Sequence, residues 1–215
     1  MNATFALIMI CFLAFGASIL AVSNGISGDY ILNEFGFSGA NVFARPWTLL
    51  TCAFIHFDIG HLLSNMFVLL FFGASLEGEI GKGRMLLIFF LGVLAGDLIS
   101  LLFYAPDVIL IGASAGIFAL IGAGMLIKPL DMSFYPFTVP MPLGIIGILY
   151  IIYNSLGLFA GEQGISYIAH AGGMIVGLAF GFRHEGFRKS MLTMVLLCLA
   201  ALLLPVLLYF ILRLF

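Results

Sequence analysis

Two polar side chains in otherwise apolar segments suggest acyl-transfer chemistry. Residues 110–122 read LIGASAGIFALIG, in which Ser114 is the single hydroxyl among small and apolar residues. His170 lies in a second such segment, YIAHAGGMIVG. A serine hydroxyl is a weak nucleophile until a base takes its proton, and histidine suits that role because it exchanges protons near neutral pH. We therefore predict Ser114 as a nucleophile and His170 as its general base.

Attack of a serine on a carbonyl creates an oxyanion, which needs hydrogen-bond donors fixed in advance. His61 and Asn65 are four residues apart in HFDIGHLLSN and would share one helix face. The backbone N–H of Ser114, at a predicted helix start, is free to donate as well. These three residues are the predicted oxyanion hole. Because no acidic residue in the outer first turns of the helices of Ser114 and His170 is an obvious third member, we predict a Ser–His dyad.

The composition indicates that these residues lie in a membrane. Of the 215 residues, 63% are hydrophobic and 8% are charged, whereas a soluble domain has about 25% charged residues. The net charge of -2 argues against nucleic acid as a partner. The three cysteines, an odd number at scattered positions, predict neither a disulfide framework nor a metal site. The lipid bilayer is therefore the expected surrounding of this chain.

Seven apolar segments are long enough to span a bilayer, which takes roughly 20 residues each. They cover about residues 3–23, 59–76, 85–104, 112–128, 142–160, 165–182 and 191–213. The first resembles a signal peptide in its small residues, but it has no basic n-region, so we expect a retained helix. Residues 24–58 form a long link that we expect to lie as a loop in the interface. No linker marks a second domain, so residues 1–215 are predicted to form one membrane-embedded domain.

The basic residues orient these spans. Six of the eight Lys and Arg residues fall on one predicted side, namely Lys82, Arg84, Lys128, Arg183, Arg188 and Lys189. The positive-inside rule then places the amino terminus in the cytoplasm and the long link outside. The second, fourth and sixth spans would all begin in the outer leaflet, and they carry His61, Ser114 and His170 in their first turns. Polar groups at membrane depth are costly, so such a cluster is a candidate site.

Small residues indicate how two of these spans meet. Gly173 and Gly177 continue a stripe beyond His170, and Gly112 lies beside Ser114 with further glycine and alanine residues. Small side chains let helix backbones approach closely in a membrane. We expect the fourth and sixth spans to touch, with the Ser114 hydroxyl within reach of the His170 ring.

Together these motifs resemble the rhomboid family of intramembrane serine proteases. The resemblance rests on H-x4-H-x3-N from His56 to Asn65, on G-x-S ending at Ser114, and on A-H-x2-G-x3-G around His170. Trp47 in the long link and G-x3-E-x3-G around Glu77 also fit, and the motifs occur in the family's order. The resemblance covers about residues 45–182, and residues 191–213 would be an additional seventh helix. It implies an all-α, polytopic bundle with a six-helix core.

The resemblance also implies roles and partners. Ser114 would be the nucleophile and His170 the base, His56 would tie the long link to the second span, and Phe118 would stack on His170. The expected substrates are transmembrane segments of other proteins, cleaved near the outer face of the cell membrane. No cofactor, metal ion or nucleic acid is expected. The alternative is a catalytically inactive relative that binds or escorts transmembrane clients.

Three features stand apart from this interpretation. Ala115 replaces the glycine that usually follows the family's serine, and the sequence leaves open whether its small methyl group crowds the oxyanion hole. Asp97, well inside the third span, is expected to form a buried structural hydrogen bond, and Asn154 in the fifth span is interpreted as packing.

A proton-coupled transporter using Asp97 and the histidines would predict inverted repeats, which the sequence does not display. A metalloprotease would need ligand spacing that H-x4-H lacks.

Overall fold

The described part of the chain is entirely α-helical. The computed structural model describes residues 2–132, 142–160 and 165–212, and these form nine α-helices and no β-strand. The helices are α1 (Ala3–Ser23), α2 (Gly28–Phe35), α3 (Thr48–Thr51), α4 (Ile59–Ile80), α5 (Lys82–Ser100), α6 (Ser114–Ile127), α7 (Leu143–Ala160), α8 (Tyr167–Glu185) and α9 (Phe187–Leu212). The predicted all-α membrane bundle is confirmed. Among the described residues, α1, α4, α5 and α7 are long and apolar enough to cross a membrane, and α6 is a shorter apolar helix.

Each predicted span coincides with one of the longer helices, but several ends were misplaced by a few residues. Charged residues between the second and third spans suggested a loop, whereas α4 and α5 are separated by Gly81 alone. Gly81 has a φ of +81°, a conformation that favours glycine, and it lets the chain reverse without further loop residues. The last predicted span extends to residue 213, which lies outside the described residues.

The expectation of an irregular link over residues 24–58 was wrong in part. This segment contains α2, α3 and a 3-10 turn at Cys52–Phe54. Ser27 caps α2 by accepting a hydrogen bond from the Tyr30 amide at 3.1 Å. The Arg45 guanidinium binds Glu34 at 2.8 Å, and the Trp47 indole N–H donates to the Glu34 carbonyl at 2.9 Å. Polar contacts between residues of the link therefore hold it in place. These contacts follow no helical repeat, so the sequence pattern did not reveal them.

Helix α6 forms the centre of the bundle. Every residue from Ala115 to Leu126 is buried, which is unusual for a helix with solvent or lipid on one side. On one side α6 packs closely against α8, where a Cβ added to Gly173 or Gly177 would overlap a carbonyl oxygen of α6. Glycine at these two positions lets the two backbones come into direct contact.

Helix α1 is attached through Glu77 near the end of α4. The Glu77 carboxylate accepts hydrogen bonds from the Ala3 amide at 2.7 Å, the Thr4 amide at 2.8 Å and the Thr4 hydroxyl at 2.7 Å. A carboxylate is favourable at a helix amino terminus because the first amides lack partners and the helix dipole is positive there. The start of α1 therefore lies at the same end of the bundle as the end of α4.

Candidate active site

The start of α4 places two predicted donors on one face. Asp58 caps the helix, with its side chain accepting from the His61 amide at 2.8 Å. The cap fixes His61 in the first turn and Asn65 one turn later. Asn65 is buried, and its Nδ2 has no hydrogen-bond partner among the described residues. A buried amide with an unused donor is an energetic cost that a bound oxygen atom would relieve.

The turn before α6 brings Ser114 next to those donors. Gly112 has a φ of +108°, which L-residues with side chains rarely adopt, and its amide donates to the Cys52 carbonyl at 2.8 Å. A Cβ at Gly112 would lie 2.7 Å from His61 Nε2 and 3.5 Å from Asn65 Nδ2. Only glycine therefore satisfies both the backbone angle and the close approach of α4. As a result, the Gly112 backbone that leads into Ser114 and α6 lies against the side chains of His61 and Asn65.

The first turn of α8 brings the imidazole to the serine. The side chain of Ser166 caps α8 by accepting from the Ala169 amide. His170 follows within the first turn and is buried. Its Nε2 lies 2.8 Å from the Ser114 hydroxyl oxygen, within hydrogen-bonding distance. The structure thus brings together two residues that are 56 positions apart in sequence.

Aromatic side chains hold the plane of the His170 ring. The Phe118 ring stacks on it with a centroid distance of 4.2 Å and an interplanar angle of 9°. Tyr167 contacts it edge-on, at 6.2 Å and 86°. Stacking of this kind restricts the ring to one plane, and it needs no hydroxyl on Phe118.

Sequence reasoning missed the part that Asn154 plays beside His170. Asn154 was interpreted as packing, but its Oδ1 lies 3.0 Å from His170 Nδ1 and its Nδ2 donates to the Tyr167 carbonyl at 3.0 Å. It is buried in α7. A polar residue on an otherwise apolar helix was the available signal, but sequence alone does not reveal which neighbour such a residue contacts.

His56 lies outside the helices, just before α4. Its Nδ1 is 3.3 Å from the Phe54 carbonyl oxygen, and its ring meets the His61 ring edge-on at 5.0 Å. Burial, together with a smaller effect of the neighbouring His61, lowers the pKa of His56 to about 4, while the Phe54 carbonyl opposes the shift. His56 contacts both the link and the start of α4, and its neutral form is the stable one at neutral pH.

A cavity of about 1160 Å³ lies over the Ser114 hydroxyl. Its lining includes side chains from four helices: His61, Ser64, Asn65, Ser114, Ile117, Phe118, Tyr150, Tyr153, Ser166, Tyr167 and His170. Its volume exceeds the roughly 300–1,000 Å³ of typical small-molecule sites, so it has room for water and an extended peptide segment.

The methyl group of Ala115 points away from this cavity. Ala115 is absent from the cavity lining, and a Cβ added to Gly96 of α5 would lie 2.8 Å from the Ala115 Cβ. The methyl group of Ala115 therefore does not crowd the cavity, which answers the question that the sequence left open. At the start of a helix, consecutive side chains point in different directions, and that of Ala115 faces α5.

Asp97 has a buried partner in the link. The Cys52 thiol donates to Asp97 Oδ2 at 3.3 Å, and both side chains are buried. Because the Cys52 carbonyl also accepts from Gly112, this contact connects α5 to the turn before Ser114.

Over residues 2–132, 142–160 and 165–212, no group of three His, Cys, Asp or Glu side chains is arranged to hold a metal ion.

Comparison with known proteins agrees with this arrangement. The family model described as the rhomboid domain matches residues 44–185, about two thirds of the chain. This chain belongs to the rhomboid family. The matched region contains α3 to α8 and every residue of the candidate site.

Several curated rhomboid proteins are similar to this chain. RHOMBOID-like protein 12, mitochondrial, from Arabidopsis thaliana is 29% identical over 181 residues, covering 74% of this chain and 53% of the relative. RHOMBOID-like protein 4 from the same plant is 35% identical over 137 residues, covering 63% and 33%. Rhomboid-related protein 1 from Caenorhabditis elegans is 32% identical over 150 residues, covering 64% and 40%. The chain therefore spans between a third and about half the length of these relatives.

Proposed function

We propose that this rhomboid is an intramembrane serine endopeptidase that cleaves transmembrane segments of other membrane proteins. The observation that carries the proposal is the 2.8 Å contact between Ser114 Oγ and His170 Nε2. A serine and a base within hydrogen-bonding reach are the minimum for nucleophilic acyl transfer. In this proposal the whole chain is one membrane domain with its core at about residues 45–182.

The reaction would proceed in two halves. Ser114 Oγ forms a bond to the scissile carbonyl carbon while its proton passes to His170 Nε2. The carbonyl oxygen becomes an oxyanion that accepts hydrogen bonds from Asn65 Nδ2, His61 and the Ser114 amide. The carbon–nitrogen bond then breaks, and the proton on His170 moves to the departing amine. In the second half, His170 takes a proton from water while the water oxygen bonds to the acyl carbon. The ester bond to Ser114 Oγ then breaks, and His170 returns the proton to Ser114 Oγ.

The location of the site follows from charge. Basic residues at the start of α5, the end of α8 and the start of α9 lie at the end of the bundle opposite Ser114, among them Lys82, Arg84, Arg183 and Lys189. By the positive-inside rule, we place that end and the amino terminus in the cytoplasm, and Ser114 towards the outer face of a cell membrane.

The test is cleavage in reconstituted vesicles. The protein is incorporated with a generic single-span substrate, and wild type is compared with Ser114→Ala and His170→Ala. We expect both variants to lose on the order of 10⁴-fold or more in cleavage rate. Matched controls are Ser155→Ala, whose hydroxyl donates to the Ile151 carbonyl of its own helix, and His184→Ala, at the other end of α8.

A serine-directed covalent probe provides the second readout. It should label Ser114 in wild type and fail to label the His170→Ala variant, because the hydroxyl then has no base. Cleavage that survives Ser114→Ala overturns the mechanism. Tight binding of transmembrane substrates by the wild type without any cleavage identifies the chain as an inactive rhomboid-like escort instead.

A further inference from the structure

The hydrogen bonds of Asn154 define which way its amide faces. Its Nδ2 lies 3.0 Å from the Tyr167 carbonyl oxygen. A carbonyl oxygen only accepts hydrogen bonds, so the atom facing it is the NH₂ group. The other end of the amide, Oδ1, then faces His170 Nδ1 at 3.0 Å. Since an amide oxygen also only accepts, Nδ1 of His170 carries a proton.

The proton on Nδ1 determines whether Nε2 can accept the proton of Ser114. A neutral imidazole has one N–H and one lone pair. With the proton on Nδ1, the lone pair is on Nε2, which lies 2.8 Å from Ser114 Oγ. The opposite tautomer would direct an N–H at the serine oxygen and would be unable to take its proton. The backbone of Tyr167 thus sets the tautomer of His170 through one amide side chain.

Phe118, which stacks on His170, does not determine the tautomer of the ring. Phe118 lies parallel to the ring at 4.2 Å and restrains its plane. A ring rotated by half a turn in that plane, or one with its proton on the other nitrogen, would stack equally well. Of the described contacts to His170, the hydrogen bond from Nδ1 to Asn154 is the one that distinguishes between its nitrogens.

We infer that Asn154 is a positioning residue that holds His170 in the Nδ1–H tautomer and orients its ring towards Ser114. This inference rests on the proposed protease function and adds a third member to its dyad. Asn154 is only 8% exposed and lies within a membrane helix. An amide suits this position because a carboxylate would be costly to bury there. The third member comes from α7, a helix that carries neither Ser114 nor His170.

Kinetics on two substitutions test this role. Asn154→Leu keeps the approximate volume but removes the acceptor, and we expect kcat to fall roughly 10- to 100-fold with little change in KM. Asn154→Asp keeps an acceptor towards Nδ1 and should retain more of kcat than the leucine variant. Ser155→Ala, the adjacent residue on α7, is the matched control and should behave as wild type.

Nitrogen NMR of the histidine ring provides a readout that a packing role would not move. In protein with ¹⁵N-labelled histidine, the His170 signals are assigned by their absence from His170→Ala. We expect wild-type His170 to carry its proton on Nδ1 alone, and the Asn154→Leu variant to show a mixture of both tautomers. The wild-type spectrum answers the question even if the leucine variant does not fold.

The outcomes separate this inference from the proposed function. If Ser114→Ala and His170→Ala abolish cleavage but Asn154→Leu keeps wild-type kcat, Asn154 is a packing residue. The inference then fails, while the proposed protease function stands. A wild-type proton on Nε2 likewise overturns the inference alone. If Ser114→Ala cleaves normally, the proposed function fails, whereas the NMR result still reports on the hydrogen bond.

Discussion

The two ends of α4 use polar side chains in opposite ways. At its start, Asn65 Nδ2 is buried without a hydrogen-bond partner among the described residues, and so is Nε2 of the neighbouring His56. Near its end, Glu77 accepts three hydrogen bonds from α1. Ser75 donates to Asp131 at 2.5 Å, and Lys128 lies 3.0 Å from the same carboxylate. One end leaves buried polar atoms unpaired, and the other pairs its polar groups with each other.

This difference separates capacity for chemistry from stability. A donor that is already hydrogen-bonded within the protein is not available to an oxyanion. An unpaired buried donor is available, but it destabilises the folded state until a ligand accepts its hydrogen bond. Asn65 also lines the cavity of about 1160 Å³, whereas Glu77 and Ser75 do not. We therefore expect substitutions at the start of α4 to change rate and those at its end to change stability.

The largest expected effect is at Asn65. Asn65→Ala removes a predicted oxyanion donor, and we expect kcat to fall roughly 10²- to 10³-fold, as is typical for one such donor. The free energy of unfolding should stay the same or rise, because the lost Nδ2 had no partner. Vesicle cleavage assays and unfolding in detergent measure the two quantities. A loss of stability with unchanged kcat would place Asn65 with the structural residues instead.

A smaller effect is expected in the pH dependence of stability, through His56. With the pKa of His56 lowered to about 4 by burial and by His61, the unfolded chain binds a proton there below about pH 6.5, well before the folded protein does. Unfolding should therefore become easier as pH falls from 6.5 towards 4, and His56 should contribute about 2 kcal/mol to this loss of stability between pH 7 and pH 5. His56→Gln should reduce this pH dependence relative to wild type.

The matched control for this measurement is His184→Gln. His184 lies in the last turn of α8, next to Glu185, at the other end of the bundle. That substitution should leave the decline of stability between pH 7 and pH 5 close to that of wild type. Equal pH dependence in wild type and His56→Gln would show that His56 is not the titrating group.

The smallest expected effect is at Ser75. Ser75→Ala removes one hydrogen bond to Asp131, which keeps Lys128 as a partner. We expect about 1 kcal/mol less free energy of unfolding and an unchanged kcat. Ser18→Ala, which removes a hydroxyl that donates to the Ala14 carbonyl of its own helix, is the control and should cost less. A large loss of kcat in Ser75→Ala would contradict the division between the two ends.

Hydropathy and motif spacing predicted much of the fold and most of the candidate site. The membrane helices are evident because bilayer thickness imposes a length on each apolar segment. The order of the spans placed His61, Ser114 and His170 in first turns at one end, since alternate spans run in the same direction. Helix ends were less predictable, because they depend on caps and on single residues such as Gly81.

The sequence by itself determined which residues are polar, where in the apolar segments they lie and which of them fall at helix starts. These properties are local, set by composition and by the helical repeat. Only the tertiary structure decided which side chains meet: Asn154 with His170, Glu77 with the start of α1, and Cys52 with Asp97. Such contacts depend on how each helix is rotated and tilted against its neighbours, which close packing of the whole bundle settles and no single segment encodes.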